Sequence, residues 1–231
     1  MKIAVINFSG NVGKSTLSKH MLLPRLKDAE YIAVESINAD EGGGELVRGK
    51  QYGALQEQLM LLDSAIVDVG ASNVEEFIRQ MQQYRGSHED YDIFLVPTVK
   101  ESKQIKDTIG TIEALAAMGV PAKKIKLVFN KLESDETVED VFFPLIAYHA
   151  EKKNFTLKQN AALYFSELYQ KLRTFNMSVD DLLADQTDYK AKLKEAKTQD
   201  EKMEAASKIS MRRLATSAKE NLDTVFSLVV K

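Results

Sequence analysis

Short apolar runs rich in β-branched residues recur along the chain at Lys2–Phe8, Tyr31–Glu35, Ala65–Val69, Ile93–Val96 and Lys126–Asn130. Each is continuous rather than alternating, which predicts strands covered on both faces, the condition of a buried parallel sheet. Helical periodicity fills the gaps at Ser15–Leu26, Val74–Tyr84 and Lys103–Met118, the last ended by Gly119 and Pro121. The fold class is therefore α/β: a doubly wound, mostly parallel sheet with helices on both faces. Beyond Asn130 the pattern changes to a short strand at Asn154–Leu157 and then helices to the C-terminus. Glu167–Phe175 is amphipathic, and Tyr189–Ala206 is a charged helix or helical hairpin with an exposed surface. The last segment sets Leu214, Ala218, Leu222, Val225, Phe226 and Val229 at helical spacing on one side, which predicts packing against the body; a membrane-surface helix is the competing reading, with a thin basic face. These features divide the chain into a domain over residues 1–175 and a helical extension over 176–231 packed on it. No repeat or low-complexity tract interrupts either part.

The first apolar run leads directly into Gly10-Asn11-Val12-Gly13-Lys14-Ser15-Thr16 and then into a helix. A glycine-rich turn between a buried strand and a helix aims several backbone N–H groups at one spot, where the helix N-terminus adds partial positive charge. Such a spot suits the phosphates of a nucleotide. Strand, turn and helix follow in the order of a P-loop, although Phe8 occupies the first glycine position of the general pattern. In this reading the residues from Gly10 to Thr16 cradle the phosphates, Lys14 reaches the terminal ones as a catalytic cation, and the Ser15 hydroxyl binds Mg²⁺.

Three other positions at strand ends bear on the same chemistry. Ser64-Ala65-Ile66-Val67-Asp68 is an apolar strand ending in an acid, and the Asp68 carboxylate there completes the metal site begun by Ser15. The second strand runs into an acidic stretch and three glycines, Gly42-Gly43-Gly44; within it Asp40 is the candidate for orienting an attacking water, against the reading of a solvated polar loop. The fifth strand ends in Asn130-Lys131-Leu132-Glu133, where an asparagine amide can pair with the edge of a purine. Asn-Lys-x-Asp would read guanine; with Glu133 in the last position, ATP is preferred over GTP.

Composition removes other classes. At 231 residues, 44% hydrophobic and 28% charged, the chain can bury one sizeable core, alone or with an appendage. It has no cysteine, which excludes disulfides and thiolate metal sites, and its three histidines lack ligand spacing. No apolar run approaches the roughly 20 residues of a spanning helix, and the start lacks the pattern of a signal peptide, so a cytoplasmic protein without membrane insertion is expected. The net charge is −3, yet Gln186–Lys231 holds ten Lys and Arg against seven Asp and Glu. That surplus would serve nonspecific contact with DNA or simply solvate a helix face; the interleaved acids favour the second.

Asn7–Thr16, Asn38-Ala39-Asp40, Ile66-Val67-Asp68 and Asn130 together resemble the ParA/MinD-type ATPases, matching their phosphate loop, first switch, metal-binding strand and base-contacting asparagine. The resemblance spans about residues 1–175. More narrowly, Ile6–Ser15, Ala33–Asp40, Asp68–Asn73 and Tyr84–Asp90 resemble the StbB-like plasmid-stability proteins. The family implies a P-loop NTPase fold, ATP and Mg²⁺ as cofactors, a nucleotide-dependent homodimer, slow hydrolysis stimulated by a partner, and a role in plasmid stability, segregation or positioning with plasmid-encoded partner proteins. One departure matters: the family's signature lysine, which reaches across the dimer, corresponds here to Ser9. Either another cation replaces it, with Lys100 and Lys103 as candidates, or turnover is weak and the protein is a nucleotide-binding adaptor. A phosphate-transferring metabolic enzyme on the same scaffold is a third reading, but no substrate constellation beyond the loop supports it.

Overall fold

A computed structural model of the chain describes residues 1–34, 45–46 (backbone only), 52–175 and 177–231. In chain order, β1 (Lys2–Val5) leads into α1 (Lys14–Thr16), which continues as π-helical turns over Leu17–Leu22 and a 3₁₀ turn over Leu23–Arg25. Then come β2 (Glu30–Val34), β3 (Glu45–Leu46), α2 (Tyr52–Leu61), β4 (Ala65–Val69), α3 (Val74–Gln83), β5 (Ile93–Thr98) and α4 (Ser102–Ala117). The rest is β6 (Ile125–Leu132), α5 (Val138–Val141), α6 (Phe143–Lys152), β7 (Ala162–Tyr164), α7 (Leu168–Thr174), α8 (Val179–Ala184), α9 (Tyr189–Glu195) and α10 (Gln199–Val229).

Among the described residues the strands form one sheet of seven in the order β3-β2-β4-β1-β5-β6-β7, every pair parallel. Alternate residues of the central strands divide between two cores. Ala4, Ile6, Val67, Phe94 and Leu127 point into one, with Leu55, Phe77, Ile112 and Leu145 from α2, α3, α4 and α6. Ile3, Val5, Ile66, Leu95 and Val128 point into the other, with Leu17, Leu172, Leu182 and Leu222 from the first helix and the C-terminal ones. Both faces are thus covered, and the sheet is doubly wound as the continuous apolar runs require.

The predicted strand at Asn154–Leu157 is corrected to a single bridge, Thr156 to Lys126. A turn closed by Ala161 N–H donating to Lys158 O (2.9 Å) interrupts the pairing, and the chain rejoins β6 only at Ala162–Tyr164. The stretch Tyr189–Ala206 resolves into the hairpin alternative: α9 ends as Ala196 turns extended, and Thr198 opens α10 with a capping box to Glu201. In α10, Leu222, Val225, Phe226 and Val229 are buried and Leu214 and Ala218 pack against them, so this face meets the protein body. No helix among the described residues is long and apolar enough to cross a membrane.

Candidate functional site

The turn after β1 lies at the centre of the sheet, between the strand ends of β4 and β5, and α4 fastens its first three residues. Asn7 Nδ2 donates to Pro97 O and to Thr108 Oγ1, both at 2.8 Å, and its Oδ1 accepts from the Ser9 N–H at 2.8 Å. Phe8 N–H donates to Thr111 Oγ1 at 3.0 Å, and its ring packs over Gly110, where an added Cβ would lie 3.9 Å from the ring. The Ser9 hydroxyl donates to Asp107. Phe8 is therefore an anchor on α4 at the place where the general loop has glycine.

The turn then curls through two left-handed residues, Asn11 at φ 61° and Gly13 at φ 94°. Gly13 admits no side chain: a Cβ there would sit 2.1 Å from Asn130 Nδ2. Among the described residues, no acceptor is found for the N–H groups of Gly10 to Gly13, so these donors face solvent or an incoming anion. The helix starts with Leu17 N–H donating to Gly13 O at 3.0 Å.

Lys14 is folded under this nest. Its Nζ donates to Asn7 O (3.1 Å) and Ser9 O (2.8 Å), and it is only 7% exposed. Burial lowers its pKa to about 8, with the Asp68 charge pulling the other way. Asp68 is itself 4% exposed at the end of β4, and burial raises its pKa against hydrogen bonds from Ser15 and Tyr31 and the charges of Lys14 and Lys19. The structure thus brings Lys14, Ser15 and Asp68 into one corner. One carboxylate and one hydroxyl, both hard oxygen donors, fit a magnesium ion that takes its remaining ligands from phosphate and water. Among the described residues no cluster of three or more His, Cys, Asp or Glu offers a cage made of protein alone.

Asn130 lies at the same corner, but its amide serves the loop: Nδ2 donates to Val12 O (2.9 Å) and Oδ1 accepts from Lys131 N–H (2.9 Å). Lys131, left-handed at φ 59°, reaches back to Asn11 O at 3.0 Å. Asp40 lies outside the described residues. Of the two candidate cations, Lys100 pairs with Glu136 at 2.6 Å, and Lys103 pairs at 3.7 Å with Asp107, the same carboxylate that holds Ser9. Reading the sequence missed Asp107, Thr108, Thr111, Lys131 and Tyr31. The first three occupy one side of a helix and carried no local signal of contact with a loop about a hundred residues earlier.

No protein-family model and no curated protein sequence matches the chain. Solved structures do. MinD of Aquifex aeolicus, in its complex with MinC, aligns with 100% of this chain and 96% of its own at a TM-score of 0.59 and 11% identity. The fold is that of the P-loop NTPases. MinD of the same organism without MinC gives 0.54 at 13% identity over 80% of this chain and 89% of its own. A point variant of Cyanothece McdA in complex with ATP gives 0.51 at 12% identity over 78% of this chain and 89% of its own. McdA and MinD are ParA/MinD-type proteins, and at this identity the likeness to them establishes the shared P-loop fold.

Proposed function

We propose that this protein is an ATP-binding switch of the ParA/MinD type, in which the residues from Gly10 to Thr16 hold the phosphates, Lys14 leaves its two carbonyls to meet them, and Ser15 and Asp68 hold Mg²⁺. The observation that carries the reading is the pairing of loop amides that lack an acceptor among the described residues with a buried ammonium bonded to backbone carbonyls. Bound Mg²⁺ supplies charge neutralisation between phosphate oxygens. Asp40 is the proposed water-orienting residue, and Asn130 the proposed contact to the base once nucleotide is present. The McdA variant holds ATP, and the resemblance of Asn7–Thr16 and Ile66–Asp68 to that family supports the same ligand here. A homodimer formed around nucleotide, and a role in plasmid stability, segregation or positioning through plasmid-encoded partners, complete the proposal.

Titration calorimetry with ATP and MgCl₂ tests it, together with light scattering for the dimer. Micromolar uptake lost in Lys14→Met supports the switch; absence of uptake of any purine triphosphate overturns it. A second reading has one observation in its favour. Ser9, at the position of the family's signature lysine, is 1% exposed and bonded inward to Asp107. That favours an adaptor that binds nucleotide without useful hydrolysis. Phosphate release with and without DNA and partner proteins separates the two.

A further inference from the structure

β2 and β4 are parallel neighbours whose register pairs Tyr31 with Ile66 and Ala33 with Asp68. Tyr31 and Asp68 therefore sit on the same face of the sheet, one diagonal step apart, a distance of about 7 Å that a tyrosine side chain spans. The phenol uses this reach: Tyr31 Oη donates to Asp68 Oδ2 at 2.9 Å. Above the ring lies the ammonium of Lys19, 5.5 Å from the centroid, carried by the helix that starts on the phosphate loop.

Asp68 accepts the Tyr31 hydroxyl and lies beside the Ser15 hydroxyl, and these two groups differ in what carries them. Ser15 belongs to the loop and helix that must meet a ligand. Tyr31 belongs to the sheet, in β2, whose backbone is paired to β4 along its whole length. We propose that Tyr31 is a positioning residue for the divalent metal: it fixes the Asp68 carboxylate from the sheet side, so that the acid keeps one orientation while the loop engages magnesium and phosphate. The inference rests on the nucleotide reading above. Donors behind a metal-ligating carboxylate commonly change metal affinity by about 10–100-fold when removed.

The test is calorimetry of ATP binding to the full chain in Mg²⁺ and in EDTA, for the wild type, Tyr31→Phe, Asp68→Asn and the double variant. Tyr31→Phe keeps the ring and its lysine neighbour and deletes one hydroxyl. We expect about a ten-fold loss of affinity in Mg²⁺, a change within about two-fold in EDTA, and no further loss when Tyr31→Phe is added to Asp68→Asn. Unchanged affinity in both conditions overturns the proposal, as does an equal loss in both, which would make Tyr31 a general support of the site. A loss that persists undiminished on top of Asp68→Asn overturns it as well, because the phenol would then act elsewhere. Wild-type binding that ignores magnesium removes the metal site and this role with it. Failure of the wild type to bind ATP at all is a different outcome, seen before any variant is compared, and it overturns the nucleotide reading itself.

Discussion

The phosphate-loop corner and the C-terminal helices both draw cations out of water, and they use them in opposite ways. Among the helices Arg212 donates to the carbonyls of Thr187 (2.7 Å), Asp185 and Leu182 (3.4 Å) and lies 4.7 Å over the Tyr189 ring. Lys219 meets Asp180 at 2.5 Å, and the Lys208 ammonium lies 3.9 Å over the ring of Phe175. These charges hold α8, α9 and α10 together. At the loop, the Lys14 ammonium has two backbone carbonyls, and four neighbouring amides have no described partner. A surplus of positive charge in a sequence therefore says little about phosphate binding until its partners are known. The tail's excess is partly structural, whereas the proposed role of Lys14 requires it to leave the carbonyls of Asn7 and Ser9.

Breaking the loop side of this contrast gives the largest effects. Gly13→Ala forces a Cβ into Asn130 and a side chain onto a left-handed backbone; we expect ATP affinity to fall by more than about 100-fold and stability by about 1–3 kcal/mol. Gly10→Ala meets only Ala71 Cβ at 4.0 Å and should leave the urea midpoint unchanged, which separates steric need from a general intolerance of the loop. Lys14→Met should cost about 100-fold or more in ATP affinity while making the empty protein less sensitive to pH. The Lys14 pKa falls from 10.5 to about 8 on folding, so between those values the unfolded chain binds more protons and wild-type stability rises with pH. Urea unfolding at pH 7.5 and pH 10 should show a rise of about 2–3 kcal/mol from this group, absent in Lys14→Met. A wild type and variant with parallel pH profiles would contradict the buried, carbonyl-bound ammonium.

On the helical side, Arg212→Ala should lower stability by about 2–3 kcal/mol and leave ATP affinity alone, because it removes a donor shared by three carbonyls and a ring contact. Arg212→Lys should recover little, since one ammonium cannot fork toward all three. An effect on ATP binding with unchanged stability would reverse the contrast.

Much of the loop corner was legible in the chain because local rules govern it. A buried strand, a glycine-rich turn and a helix follow one another within sixteen residues, and Asp68 ends an apolar run. The same rules give the strands of the central sheet to within a few residues. They fail where partners are distant. Asp107, Thr108 and Thr111 look like ordinary polar helix positions until α4 is laid against residues 7–9, and Tyr31 reads as one more apolar strand residue until the register sets it diagonal to Asp68. β7 lies in a five-residue apolar run, Ala161–Phe165, too short for periodicity to tell strand from helix; its place as a strand is set by pairing with β6 and by Asn221, whose amide bonds Ala162 O (2.9 Å) and Tyr164 N–H (3.1 Å).

The finest test of the contrast is Lys208→Met. Lys208 is 6% exposed; its ammonium has the Phe175 face at 3.9 Å and Met177 Sδ at 3.0 Å, and no carboxylate pairs with it among the described residues. A desolvated contact with a ring is worth about 1–2 kcal/mol, but an ammonium withdrawn from water without an anion carries a cost of similar size. Methionine keeps most of the aliphatic stem and adds a polarisable sulfur beside the aromatic ring. The opposing terms leave a stability change within about 1 kcal/mol of zero, well below that of Arg212→Ala, with ATP affinity unchanged. A loss as large as that of Arg212→Ala would mean the ring contact outweighs desolvation. A clear drop in salt-sensitive DNA binding by Lys208→Met, with stability intact, would instead return this lysine to the surface and weaken the division between cations that hold the fold and the one proposed to meet a ligand.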